Sequence, residues 1–184
     1  MTATNDAERL SGAGRILVVG PSGAGKTQLA LRLADLLGLP LIHLDAERWR
    51  PGWNALPDDE WSDVVAELTL RPRWIMDGTY EKTLGLRVPA ADAVVVLEVG
   101  RLRCLAGLVR RRFLDGRRAR PDAPPGQRID RRFLRYLWRY PSVTRPMLLA
   151  ALREHGDGKT VVVVRGRGDA RRLLEEVGRL RGGA

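Results

Sequence analysis

Five short apolar runs punctuate the chain, and each ends on or just before glycine or a charged residue. RILVVG (15–20), PLIHLD (40–45), RWIMD (73–77), AVVVLEV (93–99) and KTVVVVR (159–165) are apolar on consecutive positions rather than alternate ones. That pattern predicts strands buried on both faces. Between them the period changes. Leu29, Leu33, Leu36 and Leu37 recur at helical spacing and stop at Gly38, with Pro40 beyond; this reads as a helix with a glycine C-cap. Pro57-Asp58-Asp59-Glu60 starts a second helix that runs to about Leu70, its acids in the first turn. Leu102, Leu105, Leu108, Val109 and Phe113 place a third over 101–113. Two more follow over 130–140 and 144–154, and Asp169 caps a last one to about Arg181. A short helix fits between the third and fourth strands. Strands alternating with helices imply a parallel sheet covered on both faces, hence an α/β fold of three layers. With no repeat and no linker, 15–181 reads as a single domain. Residues 1–14 and the closing RGGA are polar and are expected to be disordered tails.

Composition adds little to this and charge adds more. The 184 residues, 44% hydrophobic and 29% charged, suit one globular domain. No apolar run reaches the roughly 18 residues of a membrane span, and the amino terminus lacks the apolar stretch of a signal peptide. The lone Cys104 cannot form an internal disulfide, which fits a reducing cytosol. Its Arg-rich surroundings are compatible with a lowered thiol pKa, but a small buried or half-buried filler is the preferred reading. Net charge is +10, but 101–153 holds fifteen Arg against three acids, a local +12. A local excess of this kind implies an anionic partner: nucleotide phosphates, a phosphorylated substrate or nucleic acid. A solvated helix face is the plainer account.

The sharpest chemistry is GPSGAGKT (20–27), which fits G-x-x-x-x-G-K-[ST] with a strand before it and a helix after it. Its glycines let backbone N–H groups wrap a phosphate, and the helix adds the positive end of its dipole. Gly20, Ser22, Gly23, Ala24, Gly25, Lys26, Thr27 and Gln28 are therefore the nucleotide-binding candidates. Lys26 is placed on the terminal phosphates and Thr27 on Mg²⁺. Arg167, in the RGRG that follows the fifth strand, lies where a P-loop sheet receives the base. Asp77 ends the third strand on the ligand side and is a second Mg²⁺ candidate, through water; a turn-forming Asp-Gly pair is the alternative. Asp45, at the end of the second strand, either serves an acceptor hydroxyl or caps a helix. His43 reads as packed, and Glu98 as structural. Trp49, Trp53 and Trp61 form either the wall of a ring-binding pocket or a small core that anchors their loop. Arg110, Arg111, Arg112, Arg117, Arg118 and Arg120 flank a Pro/Gly-rich connection. Such a segment suits a closing lid over about 113–128 that excludes water from a phosphoryl transfer.

Several of these stretches coincide in one family. The P-loop, HLD (43–45), WRPGW (49–53), WIMDGTY (74–80), TLGLR (83–87) and the arginines of 110–122 together resemble the topology modulation proteins. These are small bacterial P-loop proteins similar to adenylate kinase, and the likeness spans about 15–175. It implies a P-loop NTPase fold with a five-stranded parallel sheet in the order 2-3-1-4-5, a lid, ATP and Mg²⁺. One departure matters. Nucleoside monophosphate kinases carry D-G-[FY]-P-R after the third strand, and that arginine holds the acceptor phosphate. Here the run is Asp77-Gly78-Thr79-Tyr80-Glu81. Either Arg87 takes over that role or the acceptor lacks a phosphate. Asp45 resembles in position the acid that shikimate kinase uses on an acceptor hydroxyl.

The resulting expectation is a cytoplasmic ATP/Mg²⁺-dependent small kinase, with its oligomeric state open. Asp45, Trp53, Asp77, Gly78, Tyr80 and Arg87 would bind the acceptor. Lys26, Asp45 and the lid arginines Arg112, Arg117, Arg118 and Arg120 would carry the chemistry. A nucleoside monophosphate kinase proper is the enzymatic alternative. An ATP-switched nucleic-acid-binding regulator is the alternative of another class.

Overall fold

Ile16 and Val18 face one side of the sheet and Leu17 and Val19 the other, and all four are fully buried. The apolar runs are continuous for that reason: both faces of every central strand meet a helical layer. The computed structural model describes residues 3–114 and 131–182.

In chain order the elements are α1 (Ala3–Gly12), β1 (Arg15–Val19), α2 (Lys26–Leu37), β2 (Leu41–His43), α3 (Leu44–Arg48), β3 (Trp49–Arg50), β4 (Asn54–Ala55), α4 (Asp58–Thr69) and β5 (Trp74–Asp77). A 3₁₀ turn (Glu81–Thr83) leads to α5 (Leu84–Ala90), β6 (Ala93–Leu97), α6 (Arg101–Leu114), α7 (Arg131–Arg139), α8 (Thr144–His155), β7 (Thr160–Val164) and α9 (Arg167–Gly182). The main sheet runs β2-β5-β1-β6-β7, all parallel. Counting only its own five strands, this is the expected order 2-3-1-4-5. A two-stranded antiparallel hairpin, β3-β4, stands apart from it.

Each layer has its own core. Leu29, Leu33 and Leu37 of α2 and Leu173 and Val177 of α9 pack on Ile16, Val18, Ile75 and Val95. Trp61, Val65 and Leu68 of α4, Leu84 and Val88 of α5 and Leu148 of α8 pack on Leu17, Trp74, Met76 and Val94. Gly38 closes α2 in the left-handed region (φ 61°), and its N–H is bonded to the Ala34 carbonyl, as the glycine C-cap predicts.

Two local expectations are corrected. The stretch 3–12 is a helix rather than part of a disordered tail, with Ala7 and Leu10 fully buried in the α2/α9 layer. Spacing i, i+3 puts both on one helix face. β2 ends at His43, so Asp45 sits in the first turn of α3 rather than at the end of a strand.

The third correction concerns Arg87. It was expected at the acceptor, but its side chain is 0% exposed and turned beneath the segment after β5. Nη1 donates to the Gly78 carbonyl (2.9 Å), and Nη2 to the carbonyls of Thr79 and Tyr80, the latter at 2.8 Å. Nε donates to Thr83 Oγ1 at 3.1 Å, across one turn of helix. Burial pulls the guanidinium pKa down to about 9, which still leaves it charged at neutral pH. It makes no ion pair among the described residues; carbonyl dipoles hold the charge.

Two substitutions test this architecture. Leu10→Ala is expected to cost about 2–5 kcal/mol in chemical denaturation, the range for opening a cavity at a buried leucine. A disordered tail would give no change. Arg87→Met removes the donors to the carbonyls of Gly78, Thr79 and Tyr80 and is expected to cost more than about 3 kcal/mol, because buried carbonyls lose their partners together. An acceptor-site arginine would instead change substrate KM and leave the unfolding midpoint in place.

Candidate active site

Parallel pairing puts the carboxyl ends of three strands level. Asp77 of β5 stands beside Val18 on one side and His43 on the other. The P-loop leaves β1 at that edge, and one cleft of about 2070 Å³ opens over it.

Ser22, Gly23, Ala24, Gly25, Lys26, Thr27 and Gln28 all line this cleft, as the motif predicts. Gly25 precedes the first turn of α2 in the left-handed region (φ 95°). The amides of a helix's first turn have no intrahelical partner and favour a bound anion. The loop is also braced from behind. A Cβ on Gly23 (φ 83°) would lie 2.3 Å from the Cys104 carbonyl, and one on Gly107 would lie 2.3 Å from the Gly23 carbonyl. Two glycines thus let the P-loop lie directly on the backbone of α6. Lys26 Nζ donates to the Pro21 carbonyl at 3.2 Å. Gly20 is the exception among the nucleotide candidates: it does not line the cleft, and its N–H donates to Thr79 Oγ1 at 3.0 Å. The same hydroxyl donates back to the Gly20 carbonyl at 2.7 Å. Gly20 shapes the loop, and Thr79, buried and not singled out in the sequence, ties it to the end of β5.

Thr27 Oγ1 donates to Asp77 Oδ2 at 2.6 Å, and His43 Nδ1 lies 3.4 Å from the same oxygen. Asp77 is 6% exposed, and its second oxygen, Oδ1, is buried with no partner among the described residues. An orphaned carboxylate oxygen beside a P-loop hydroxyl fits a hard divalent cation such as Mg²⁺, which takes oxygen ligands and water.

At the other end of the cleft Tyr80 OH donates to Asp45 Oδ1 at 2.6 Å, and Trp49 Nε1 donates to Tyr80 OH at 3.0 Å. Burial and the neighbouring Asp45 charge push the Tyr80 hydroxyl well above its ordinary pKa, so it stays a donor. Tyr80 takes a left-handed conformation (φ 36°), as does Trp53 (φ 61°). Trp49 and Trp53 line the cleft, with ring centroids 5.2 Å apart. Trp61 does not. It is 3% exposed, packs on Tyr80 at 5.1 Å and carries Arg48 over its ring. Two tryptophans therefore form a wall and the third forms the core behind it. Phe133 and Tyr136 of α7 complete the aromatic lining. Neither was singled out in the sequence, although their i, i+3 spacing puts them on one helix face.

The remaining candidates divide. Gly78 and Asp45 line the cleft, as does Arg167 at the start of α9, whereas Arg87 does not. Glu98 bonds Arg145 at 2.6 Å and joins the end of β6 to α8, a structural role. Cys104 is fully buried, and burial raises its pKa, so it is the inert filler. Arg112 lies in the last turn of α6 with its side chain outside the described residues. Arg117, Arg118 and Arg120, with almost all of the expected lid, lie outside them entirely.

No family model matches the chain, and no curated protein does. Solved structures do. A shikimate kinase from Acinetobacter baumannii in complex with shikimate matches with a TM-score of 0.57 and 22% identity, covering 95% of this chain and 96% of that one. A gluconokinase from Sinorhizobium meliloti 1021 matches with a TM-score of 0.48 and 18% identity, over 92% and 94% of the two chains. The five-stranded parallel sheet with its helical layers is thus folded like that shikimate kinase.

Proposed function

We propose that this protein is an ATP- and Mg²⁺-dependent phosphotransferase, a small adenylate-kinase-like enzyme related to the topology modulation proteins. It moves the γ-phosphoryl group of ATP to a hydroxyl of a small acceptor. The observation that carries this reading is that the P-loop, Asp77 and the Asp45–Tyr80 pair line one cleft, with Asp77 bonded to the P-loop's Thr27.

In this reading the loop amides and Lys26 hold the β- and γ-phosphates. Thr27 and, through water, Asp77 hold Mg²⁺, which when bound offsets phosphate charge. The acceptor hydroxyl lies against Asp45, whose carboxylate takes its proton. Tyr80, donating to Asp45 Oδ1, orients the carboxylate. The acceptor oxygen bonds to the γ-phosphorus as the bridging P–O bond breaks, and ADP leaves with that electron pair. Arg112, Arg117, Arg118 and Arg120 are the cations assigned to the moving phosphoryl group. The shikimate kinase likeness supports the reading through the fold, and a cytoplasmic location belongs to it. No described helix is long and apolar enough to cross a membrane.

Of the alternatives, a nucleoside monophosphate kinase loses its candidate phosphate clamp, because Arg87 is buried behind the segment it was expected to serve.

Lys26→Ala is expected to abolish ADP formation from ATP/Mg²⁺ plus acceptor, with an unchanged circular dichroism spectrum; retained turnover would remove the P-loop from the chemistry. Asp45→Asn is expected to lower kcat by about 10²–10⁴, the usual share of a general base, with little change in the KM for ATP. ADP formation stimulated by DNA and by no small acceptor would favour the nucleic-acid regulator.

A further inference from the structure

Asp77 is held at one oxygen from two elements. Thr27 Oγ1, in the first turn of α2, donates to Oδ2 at 2.6 Å, and His43 Nδ1, at the end of β2, lies 3.4 Å from the same atom. The register explains why the histidine is there. In the parallel sheet Asp77 has Val18 of β1 as its partner on one side and His43 of β2 on the other. Side chains paired in this way rise from the same face of the sheet. Of the two partners, only His43 carries a hydrogen-bonding group.

The sequence reads His43 as packed, and in one sense it is. Its side chain is 11% exposed, and it is not among the residues that line the cleft. Packing alone, however, does not bring a ring nitrogen to a carboxylate oxygen; a leucine fills the same space.

We propose that His43 is a positioning residue for the divalent cation: its Nδ1–H donates to Asp77 Oδ2 and, with the Thr27 hydroxyl, fixes the plane of the carboxylate. The proposal rests on the Mg²⁺ reading of Thr27 and Asp77 and adds the residue that sets their geometry. An ionised carboxylate only accepts, so the hydrogen between the two side chains belongs to Nδ1. The last torsion of an aspartate side chain is soft. A single donor at Oδ2 leaves the carboxylate free to swing about that bond. A second donor, arriving at the same oxygen from another strand, removes this freedom. Oδ1, buried and with no partner among the described residues, then keeps one place. That suits Mg²⁺, which demands near-ideal octahedral geometry and keeps several waters for outer carboxylates to hold. Side chains that bond a metal's carboxylates matter by about 10–100-fold in affinity. With the contact at 3.4 Å and Asp77 acting through water, the low end of that range applies to His43.

The experiment reads metal and nucleotide binding rather than turnover. Purified full-length protein is titrated with mant-ATP, a fluorescent ATP, in EDTA and at a series of Mg²⁺ concentrations, without acceptor. His43→Leu keeps the bulk and removes the donor. His43→Asn keeps a donor, because its amide nitrogen stands as many bonds from Cβ as Nδ1 does. His43→Leu is expected to need about tenfold more Mg²⁺ for half-maximal mant-ATP binding, with His43→Asn within about threefold of wild type. Affinity in EDTA is expected to be the same for all three. Mn²⁺ in place of Mg²⁺, followed by the electron paramagnetic resonance of the free ion, is expected to give the same order. In an Asp77→Asn background, His43→Leu is expected to make no further difference, because the two act as one unit. If the leucine variant misfolds, His43→Val is a donor-free replacement suited to a strand. A donor-free variant with the Mg²⁺ dependence of wild type overturns the proposal while the kinase reading stands, and His43 is then packing alone. Equal losses in the leucine and asparagine variants overturn it as well, since a packing defect does not distinguish them by their donors. If Mg²⁺ does not strengthen mant-ATP binding to the wild type, the metal reading of Thr27 and Asp77 fails and takes the proposal with it. If mant-ATP does not bind at all, the kinase reading itself fails.

Discussion

A guanidinium buried without a carboxylate holds this site together. Arg87 draws the carbonyls of Gly78, Thr79 and Tyr80 around one positive charge. A buried cation is tolerated only when its donors are satisfied, so the segment after β5 must keep the shape that satisfies them. Both ends of the cleft inherit that shape. Thr79 points its hydroxyl to the N–H and carbonyl of Gly20, at the root of the P-loop. Tyr80, forced into a left-handed conformation, reaches Asp45. One charge hidden from solvent therefore sets the spacing between the phosphate-binding loop and the group proposed to take a proton.

The sheet supplies the coarser positioning. Parallel strands in register bring Val18, His43 and Asp77 to one level, just where β1 gives way to the P-loop. Asp77 then meets Thr27 across a hydrogen bond of 2.6 Å although the two are fifty residues apart in the chain. A burial of 94% would ordinarily penalise a carboxylate with one oxygen unpartnered. Such an oxygen persists where a ligand completes it, and a hard cation at the P-loop hydroxyl is the ligand its chemistry suits.

How much of this could be read from the sequence follows from the range of the interactions. The strands were legible because burial on both faces writes itself into consecutive residues such as Ile16 to Val19. The phosphate loop was legible because its geometry is local: glycines, a helix start and a lysine within eight residues. Asp77 was legible because the end of a parallel strand has a fixed place relative to the ligand edge. Arg87 was not. Thr83 and Arg87 at i, i+4 share a helix face in any arrangement, but the packing of α5 against the sheet decides whether that face looks into the cleft or away from it. The amino-terminal helix was missed because only Ala7 and Leu10 of a polar stretch are buried, and α9 and β7, which pack against it, lie far along the chain. Phe133 and Tyr136 reach the cleft only through the placement of α7.

The separation of charge among the described residues of the cleft suits the phosphoryl transfer proposed for it. The donor carries several negative charges and must be held by amides and cations, while the attacking oxygen must become more nucleophilic at the moment of contact. Cations beside that oxygen would lower its basicity and would also disfavour proton transfer to the neighbouring carboxylate. In this molecule Lys26 and the cations of α6 and α9 stand on the donor side, and Asp45, Glu81 and Tyr80 face them from the other. Arg87, behind the 78–80 segment, has its charge enclosed by carbonyls. The interaction that shapes the loop thus also encloses the charge of Arg87, so the geometry of the 78–80 segment and the placement of that charge have the same source.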